Sequence, residues 1–241
     1  MPQIKGAHDE LLAGPLREAD SCFSRFASKI PVMNQKNRLF ALVGAVILTA
    51  LGLWWLDQWS ELREIPASGG FPFPGRFELK GPHFQQSDPR WGQDLLGNTQ
   101  RTLAAEGCAV ASAAMVLAMK GVQVDPGVLN RFLTAHRKGY TDRGWIYWET
   151  AAEFDPVAAE TLLPHYEDLP SFRLIDTNLI RNNPVIARVR TPSGITHFVV
   201  IVGKDGFDYL VRDPAHPPER GAYPLKELGS PIEAIRFYNF R

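Results

Sequence analysis

The chain has 241 residues, of which 45% are hydrophobic and 22% charged, so enough apolar side chains are present to build a packed core. Its 26 basic and 26 acidic residues cancel, and they form no basic stripe. The sequence therefore carries no electrostatic signature of nucleic-acid binding, and its charge balance gives no information about a substrate.

The N-terminal part of the chain contains one long apolar run. Residues 39–56, LFALVGAVILTALGLWWL, include no charged residue and no strong helix breaker. As a helix with a rise of about 1.5 Å per residue, they span most of a hydrocarbon core about 30 Å thick. Trp54, Trp55 and Trp59 lie at its far end, as is typical of a membrane interface. We expect a transmembrane helix over 39–56, and the alternative is a buried core helix.

The charges that flank this run predict its orientation. Basic residues precede it (Arg25, Lys29, Lys36 and Arg38), and acidic residues dominate after it (Asp57, Glu61 and Glu64). The segment before the run is too long for the n-region of a cleaved signal peptide, and no Ala-x-Ala-like site follows. By the positive-inside rule, we expect a single-pass signal anchor in the cell (inner) membrane. Residues 1–38 would form a cytoplasmic tail, and the main domain would be extracytoplasmic.

A Gly- and Pro-rich linker is predicted over 57–76, which leaves one domain of ordinary size over 77–241. The clearest helix of this domain is 108–120, which is apolar on every face and is therefore expected to be buried. Further helices are predicted over 126–136 and 172–182.

The C-terminal part of the domain is rich in β-branched and aromatic residues, which predict strands. The segments are 184–190, 197–205, 208–214 and 234–240. Helices followed by antiparallel strands indicate an α+β domain, with the apolar helix packed on the sheet.

Cys108 stands at the start of the apolar helix, directly after Gly107. The first turn of a helix offers unpaired N–H groups and the positive end of the helix dipole, and both favour a thiolate over a thiol. The other cysteine, Cys22, is expected on the opposite side of the membrane, so the two cannot pair within one chain. We interpret Cys108 as a nucleophile, and the alternative is a small apolar residue of the core.

A thiolate nucleophile needs a base, and the base needs a group that orients it. His197 begins the most apolar strand of the chain, where a polar ring has no role in packing. Asp213 ends the strand that the Asp205-Gly206 turn pairs with it. The hairpin brings residues 197 and 213 together, so that the carboxylate can hold the imidazole by its second nitrogen. The alternatives are a structural histidine and an aspartate that only forms a turn.

An ordered set of short motifs resembles the bacteriocin-processing (double-glycine) peptidase-like family of papain-like cysteine peptidases. The motifs are FQQSDPRW (84–91), EGCAVASAAMVLAMKG (106–121), VDPGVLNRFL (124–133), NPVIARV (183–189), THFVVIVG (196–203) and YLVRDP (209–214). The resemblance covers about 80–240, although the full papain signature around the cysteine is absent. It implies a papain-like fold, in which a buried helix that begins at the nucleophile packs on an antiparallel sheet.

The resemblance also implies roles for four residues. Cys108 would be the nucleophile, His197 the general base and acid, and Asp213 the residue that orients His197. The backbone N–H of Cys108 and a glutamine amide would stabilise the oxyanion. Gln86 is preferred to Gln85 because neighbouring side chains of an extended segment point to opposite faces. The substrate would be a peptide or protein attacked through a thioester, and no metal or organic cofactor is implied.

Other interpretations stay open. A zinc site formed by His197, Asp213 and His216 has poor ligand spacing. The aromatic segment 139–149 is expected either to line a substrate groove or to pack on its own rings. The domain can also be a catalytically silent peptide-binding module, or a transpeptidase or amidase that acts on cell-wall or γ-glutamyl substrates. The sequence has no transporter or nucleotide-binding motif, so removal of exported leader peptides is not the default expectation.

Overall fold

The computed structural model of the protein describes residues 34–59, 64–167 and 169–240. The chain divides into two compact units, residues 1–56 and 57–241. Most of the predicted cytoplasmic tail, including Cys22, lies outside the described residues.

The first unit contains the long apolar helix that the sequence predicts. Helix α1 (Gln35–Trp59) includes the whole run 39–56 and begins four residues earlier. Its window Lys36–Leu53 is long and apolar enough to cross a membrane, and none of that window is buried inside the protein. Large side chains such as Leu39 and Phe40 are instead exposed. A buried core helix is therefore not what the structure contains at this position.

Six strands form one sheet in the second unit. They are β1 (Ser68–Glu78), β2 (Leu162–Glu167), β3 (Val185–Arg190), β4 (Thr196–Arg212), β5 (Tyr223–Pro224) and β6 (Ile232–Phe240). The order across the sheet is β1-β4-β3-β6-β2, and β5 pairs with β4 beside this path. All these pairs are antiparallel, as the sequence predicts.

Strand β4 contains both strand segments that the sequence predicts around Asp205-Gly206. The side chains of His197 and Asp213, at its two ends, meet at 2.6 Å. A straight strand of this length would separate them by about 50 Å. Strand β4 therefore reverses direction within its length. Gly206, near its middle, has a φ of +57°, a conformation in which glycine carries no steric cost.

The predicted linker 57–76 differs from the structure. Ile65 already exchanges backbone hydrogen bonds with Ile232, and Ser68–Glu78 forms β1 at the edge of the sheet. The pairing of β1 with β4 is irregular, with two register shifts. Its prolines are tolerated because an edge strand does not need every N–H for pairing. The Gly- and Pro-rich composition thus gave no indication of β1, a strand that forms by pairing with β4.

The helices of the second unit cover the sheet and lead into the strands. They are α2 (Leu103–Glu106), α3 (Cys108–Met119), α4 (Pro126–Ala135), α5 (Trp148–Ala152), α6 (Pro156–Thr161) and α7 (Phe172–Ile180). Helix α3 is buried along most of its length and packs against β4 and β3. The α+β class and the packing of the apolar helix on an antiparallel sheet are therefore confirmed.

A buried ion pair, which the sequence did not indicate, connects β1, β4 and α7. Lys204 is fully buried, and its Nζ donates to Asp176 Oδ1 at 2.8 Å and to the Phe71 carbonyl at 2.6 Å. The second oxygen of Asp176 accepts from the Phe71 N–H at 2.7 Å. The Tyr209 hydroxyl donates to Asp176 Oδ1 at 3.0 Å. The two charges thus hold the irregular strand β1 to the core.

We expect Asp176→Ala to lower the free energy of unfolding by about 3–5 kcal/mol, because it leaves the buried ammonium of Lys204 unpaired. Lys226→Ala is the matched control. It breaks the more exposed ion pair between Lys226 and Asp208, and Asp208 lies on the same strand β4 as Lys204. That change should cost less than about 1 kcal/mol. Urea unfolding followed by tryptophan fluorescence measures both values. Equal, small losses for the two variants would contradict the stabilising role of the buried pair.

Candidate active site

Cys108 is the first residue of α3; its thiol is free, and the residue is 9% exposed. Gly107 precedes it at the junction with α2. A Cβ atom at position 107 would lie 2.5 Å from the carbonyl oxygen of Leu103, so any larger residue would push the two helices apart. Because α3 packs on the sheet and α2 ends against Gly107, the position of the thiol is set by rigid backbone on both sides.

His197 lies between Cys108 and Asp213. Its Nε2 is 2.6 Å from Asp213 Oδ1, and both side chains are buried. The neighbouring Cys108 side chain also acts to raise the pKa of His197. Since Nε2 is bound to the carboxylate, Nδ1 is the ring nitrogen left for the thiol. The structure therefore brings together the three residues that the sequence singles out.

Cys108, His197 and Asp213 form a row, and its electrostatics favour a charged imidazole on His197. Burial lowers the pKa of His197, but the hydrogen bond to Asp213 and the neighbouring Cys108 outweigh this effect and raise the pKa to about 10. Burial raises the pKa of Asp213, while its bonds to His197 and other donors bring the net value below the usual range. At neutral pH His197 is thus an imidazolium that lies beside the carboxylate of Asp213.

Asp213 is held by more donors than the sequence suggests. Its side chain is 1% exposed. Oδ1 also accepts from the Ala215 N–H at 2.8 Å, and Oδ2 accepts from the Tyr223 hydroxyl at 2.6 Å. Tyr223 belongs to the two-residue strand β5, which no local sequence pattern predicts. Sequence reasoning missed it because only the pairing of β5 with β4 brings it to the carboxylate.

Gln86 is the buried member of the glutamine pair. Its backbone N–H donates to the Pro214 carbonyl at 2.8 Å, and its side-chain Nε2 donates to the Ala104 carbonyl at 2.9 Å. Gln86 thus links the residue after Asp213 to the helix just before Cys108. Gln85 is less buried, and its carbonyl accepts from Trp91 Nε1 at 2.9 Å.

The rest of the Asp-Pro-Arg-Trp motif forms a turn. Asp88 accepts from the backbone and side chain of Arg90, and Trp91 is buried in the core. These contacts give Asp88, Arg90 and Trp91 a structural role in the turn and its packing.

His83 is a second histidine next to the row, and the sequence did not single it out. One ring nitrogen, Nε2, lies 2.9 Å from the backbone oxygen of Asp213. Burial lowers the pKa of His83, and the bond to the Asp213 carbonyl opposes this effect. The segment before Gln86 therefore packs on the backbone that carries Asp213.

His216 lies at the border of the same cluster. Its Nε2 is 2.7 Å from the guanidinium of Arg220 and 3.9 Å from Asp213 Oδ2. In the part of the chain that the structure describes, no group of three or more His, Cys, Asp or Glu side chains is arranged to hold a metal ion.

The aromatic segment 139–149 is partly packed and partly exposed, and whether it lines a substrate groove stays a prediction. Tyr140 is partly buried and its hydroxyl donates to Asn130 Oδ1 at 2.5 Å. Trp145 is 60% exposed and Tyr147 is also exposed. Half of the segment thus packs, and the other half presents aromatic rings to solvent.

A helix that begins at a buried cysteine and packs on an antiparallel sheet, with a histidine and an aspartate at the ends of a folded-back strand, defines the papain-like cysteine peptidase fold. The model of the Peptidase_C39 like family matches residues 79–230, and the chain belongs to this family. The chain is thus a member of a cysteine peptidase family, and the family resemblance of its motifs is confirmed.

Solved structures add little to this assignment. A protein from Bacillus anthracis, described as a C39-like peptidase, has a TM-score of 0.41 and 16% sequence identity. The alignment covers 67% of this chain and 96% of the other. A likeness at this TM-score carries no argument by itself. No curated protein matches the chain significantly.

Proposed function

We propose that the protein is a membrane-anchored cysteine peptidase that hydrolyses peptide or isopeptide bonds through a Cys108-His197-Asp213 triad. The observation that carries this proposal is the buried row of Cys108, His197 and Asp213, in which His197 Nε2 is 2.6 Å from Asp213 Oδ1 and Cys108 is close enough to raise the pKa of His197. A buried core cysteine has no need of a charged imidazole, whereas a nucleophile needs one. The same row argues against a silent binding module.

The first half of the reaction forms a thioester. The Cys108 thiolate attacks the carbonyl carbon, and the carbonyl electrons move to the oxygen to give a tetrahedral oxyanion. When the oxyanion collapses, the C–N bond breaks and the His197 imidazolium donates its Nδ1 proton to the leaving amine. Asp213 keeps the ring oriented and stabilises its charge before this transfer.

The second half hydrolyses the thioester. The neutral His197 ring takes a proton from water, and the resulting hydroxide attacks the thioester carbonyl. Collapse of the second tetrahedral intermediate releases the carboxylic acid product and the Cys108 thiolate, and His197 again carries its proton. The same steps give a transpeptidase or amidase if an amine replaces water or if the leaving group is ammonia.

Two donors are proposed for the oxyanion. The N–H of Cys108 lies in the first turn of α3, where backbone N–H groups have no partner within the helix. Gln86 Nε2 carries two hydrogens, of which one is bound to the Ala104 carbonyl. The other is available for the substrate oxygen. This geometry supports Gln86 over Gln85.

We further propose that α1 anchors the domain in the cell (inner) membrane, with residues 1–38 in the cytoplasm and 57–241 outside it. The support is the length and apolar composition of Lys36–Leu53, its exposure and the excess of basic residues before it. The substrate would then be a peptide or protein on the extracytoplasmic side.

Alkylation of Cys108 tests the triad without knowledge of the substrate. In the full chain carrying Cys22→Ala, iodoacetamide should react with Cys108 rapidly from pH 6 to 9, because a His197 with a pKa of about 10 remains cationic over this range and stabilises the thiolate. In His197→Ala, the rate at pH 6 should fall at least about 30-fold, since an ordinary thiol is less than 1% ionised there. Mass spectrometry of the labelled peptide gives the rate.

Cys108→Ala serves as the blank for this experiment. If Cys108 labels only above about pH 8.5 in the wild-type chain, or only after unfolding, the thiol is a core residue. The binding-module function would then replace the proposed one.

Acylation by p-nitrophenyl acetate tests the oxyanion donor, because this generic ester forms a thioester and releases a coloured product. Gln86→Ala should slow acylation of Cys108 about 100-fold, while the matched variant Gln85→Ala should stay within about twofold of the parent chain. Alkylation by iodoacetamide forms no oxyanion, so its rate should not change in either variant. A larger loss in Gln85→Ala than in Gln86→Ala would reverse the assignment.

Cell fractionation tests the anchor. The full chain expressed in a bacterial host should remain in the membrane pellet after carbonate extraction and enter solution only with detergent. The variant Leu48→Arg/Leu51→Arg should lose this behaviour, because each arginine costs about 2.5–3.5 kcal/mol near the bilayer centre. Protease added to spheroplasts should degrade the C-terminal domain. A domain protected until the membrane is broken would indicate the opposite orientation.

A further inference from the structure

The carboxylate of Asp213 has two oxygens, and only one of them faces the histidine. Oδ1 accepts from His197 Nε2 at 2.6 Å and from the Ala215 N–H at 2.8 Å. Oδ2 accepts from the Tyr223 hydroxyl at 2.6 Å. Both atoms of this last contact are buried, so the phenol replaces the water that the carboxylate lost on folding.

The surroundings of Tyr223 keep its hydroxyl a donor. Burial, the hydrogen bond to Asp213 and the charge of Asp213 raise the pKa of the phenol well above its usual range. The guanidinium of Arg220 lies 3.8 Å from the centre of the ring, and His216 contacts the ring edge. The backbone is held as well, because Tyr223 pairs with Val211 in the sheet.

We infer that Tyr223 is a positioning residue of the active site, which holds the Asp213 carboxylate in the orientation that His197 requires. This inference rests on the proposed function. A carboxylate bound at one oxygen can rotate about its Cβ–Cγ bond, whereas donors at both oxygens leave one orientation. Tyr223 touches neither the nucleophile nor the imidazole, so it acts on the reaction only through Asp213.

Removal of the Tyr223 hydroxyl should raise the pKa of Asp213, because the carboxylate loses a hydrogen-bond donor. The other titratable or charged groups that face this aspartate are His197, His83, His216 and, beyond His216, Arg220. His216 Nε2 is 3.9 Å from Oδ2, which is too far for a hydrogen bond. Without the phenol, Oδ2 has no donor of comparable quality, and the carboxylate takes up a proton at a higher pH.

The test compares Tyr223→Phe with Tyr238→Phe in the full chain carrying Cys22→Ala. Each substitution removes one buried hydroxyl and keeps the ring, but the Tyr238 hydroxyl donates to the Trp148 carbonyl at 3.0 Å and not to Asp213. The second-order rate of acylation by p-nitrophenyl acetate is measured from pH 4 to 9. Tyr223→Phe should lower the rate at pH 7 about tenfold and move the acid limb of the profile up by about one pH unit. Tyr238→Phe should change neither.

A double-mutant cycle distinguishes positioning from a general structural effect. In the background of Asp213→Asn, Tyr223→Phe should cause less than about a twofold further loss, because the group that the phenol positions is altered already. Losses that multiply, or an acid limb that does not move in Tyr223→Phe, would overturn the inference.

Two outcomes separate this inference from the function on which it rests. If the wild-type chain is not acylated at Cys108, the proposed peptidase function fails. If the wild-type chain is acylated and Tyr223→Phe behaves as Tyr238→Phe does, only the role of Tyr223 fails. Should Tyr223→Phe not fold, 3-fluorotyrosine at position 223 keeps the hydroxyl and makes it a stronger donor, and the acid limb should then move to lower pH. An unmoved limb would reject the role of Tyr223.

Discussion

The buried carboxylate of Asp213 is the group on which the proposed active site depends. A carboxylate that is 1% exposed is stable only where donors replace the water it has lost. The donors are His197, the Ala215 N–H and Tyr223. They come from the start of β4, the turn after it and β5. Satisfying this one charge therefore requires β4 to fold back on itself and β5 to pair beside it.

The position of Cys108, the proposed nucleophile, depends on a different kind of contact. Helix α3 carries Cys108 and is held by apolar packing against β3 and β4, with almost no polar group along its buried length. Gln86 connects the two parts, because its backbone bonds to Pro214 and its side chain to Ala104. Cys108 and His197 thus lie near each other because the helix that carries Cys108 packs on the same sheet whose strands carry His197 and the donors of Asp213.

Much of this arrangement was predictable where the signal is local. The apolar character of α3 on every face indicates burial, and the Asp205-Gly206 dipeptide indicates the reversal that joins His197 to Asp213. The strand β1 was missed because its Gly and Pro residues have low strand propensity, and only pairing with β4 makes it a strand. The pair of Lys204 and Asp176 was missed because its members lie 28 residues apart in different elements.

The residue pattern alone thus identified the apolar helices α1 and α3, the strands β3, β4 and β6, and Cys108, His197 and Asp213 as candidate residues. It did so because hydrophobic periodicity and turn chemistry act over a few neighbouring residues. Gln86 was implied by the resemblance to the peptidase family. Tyr223, His83 and the ion pair behind β1 required the folded chain. Their roles arise because buried polar and charged groups need hydrogen-bond partners. The topology of the sheet, and not the neighbouring sequence, determines which partners lie close to them.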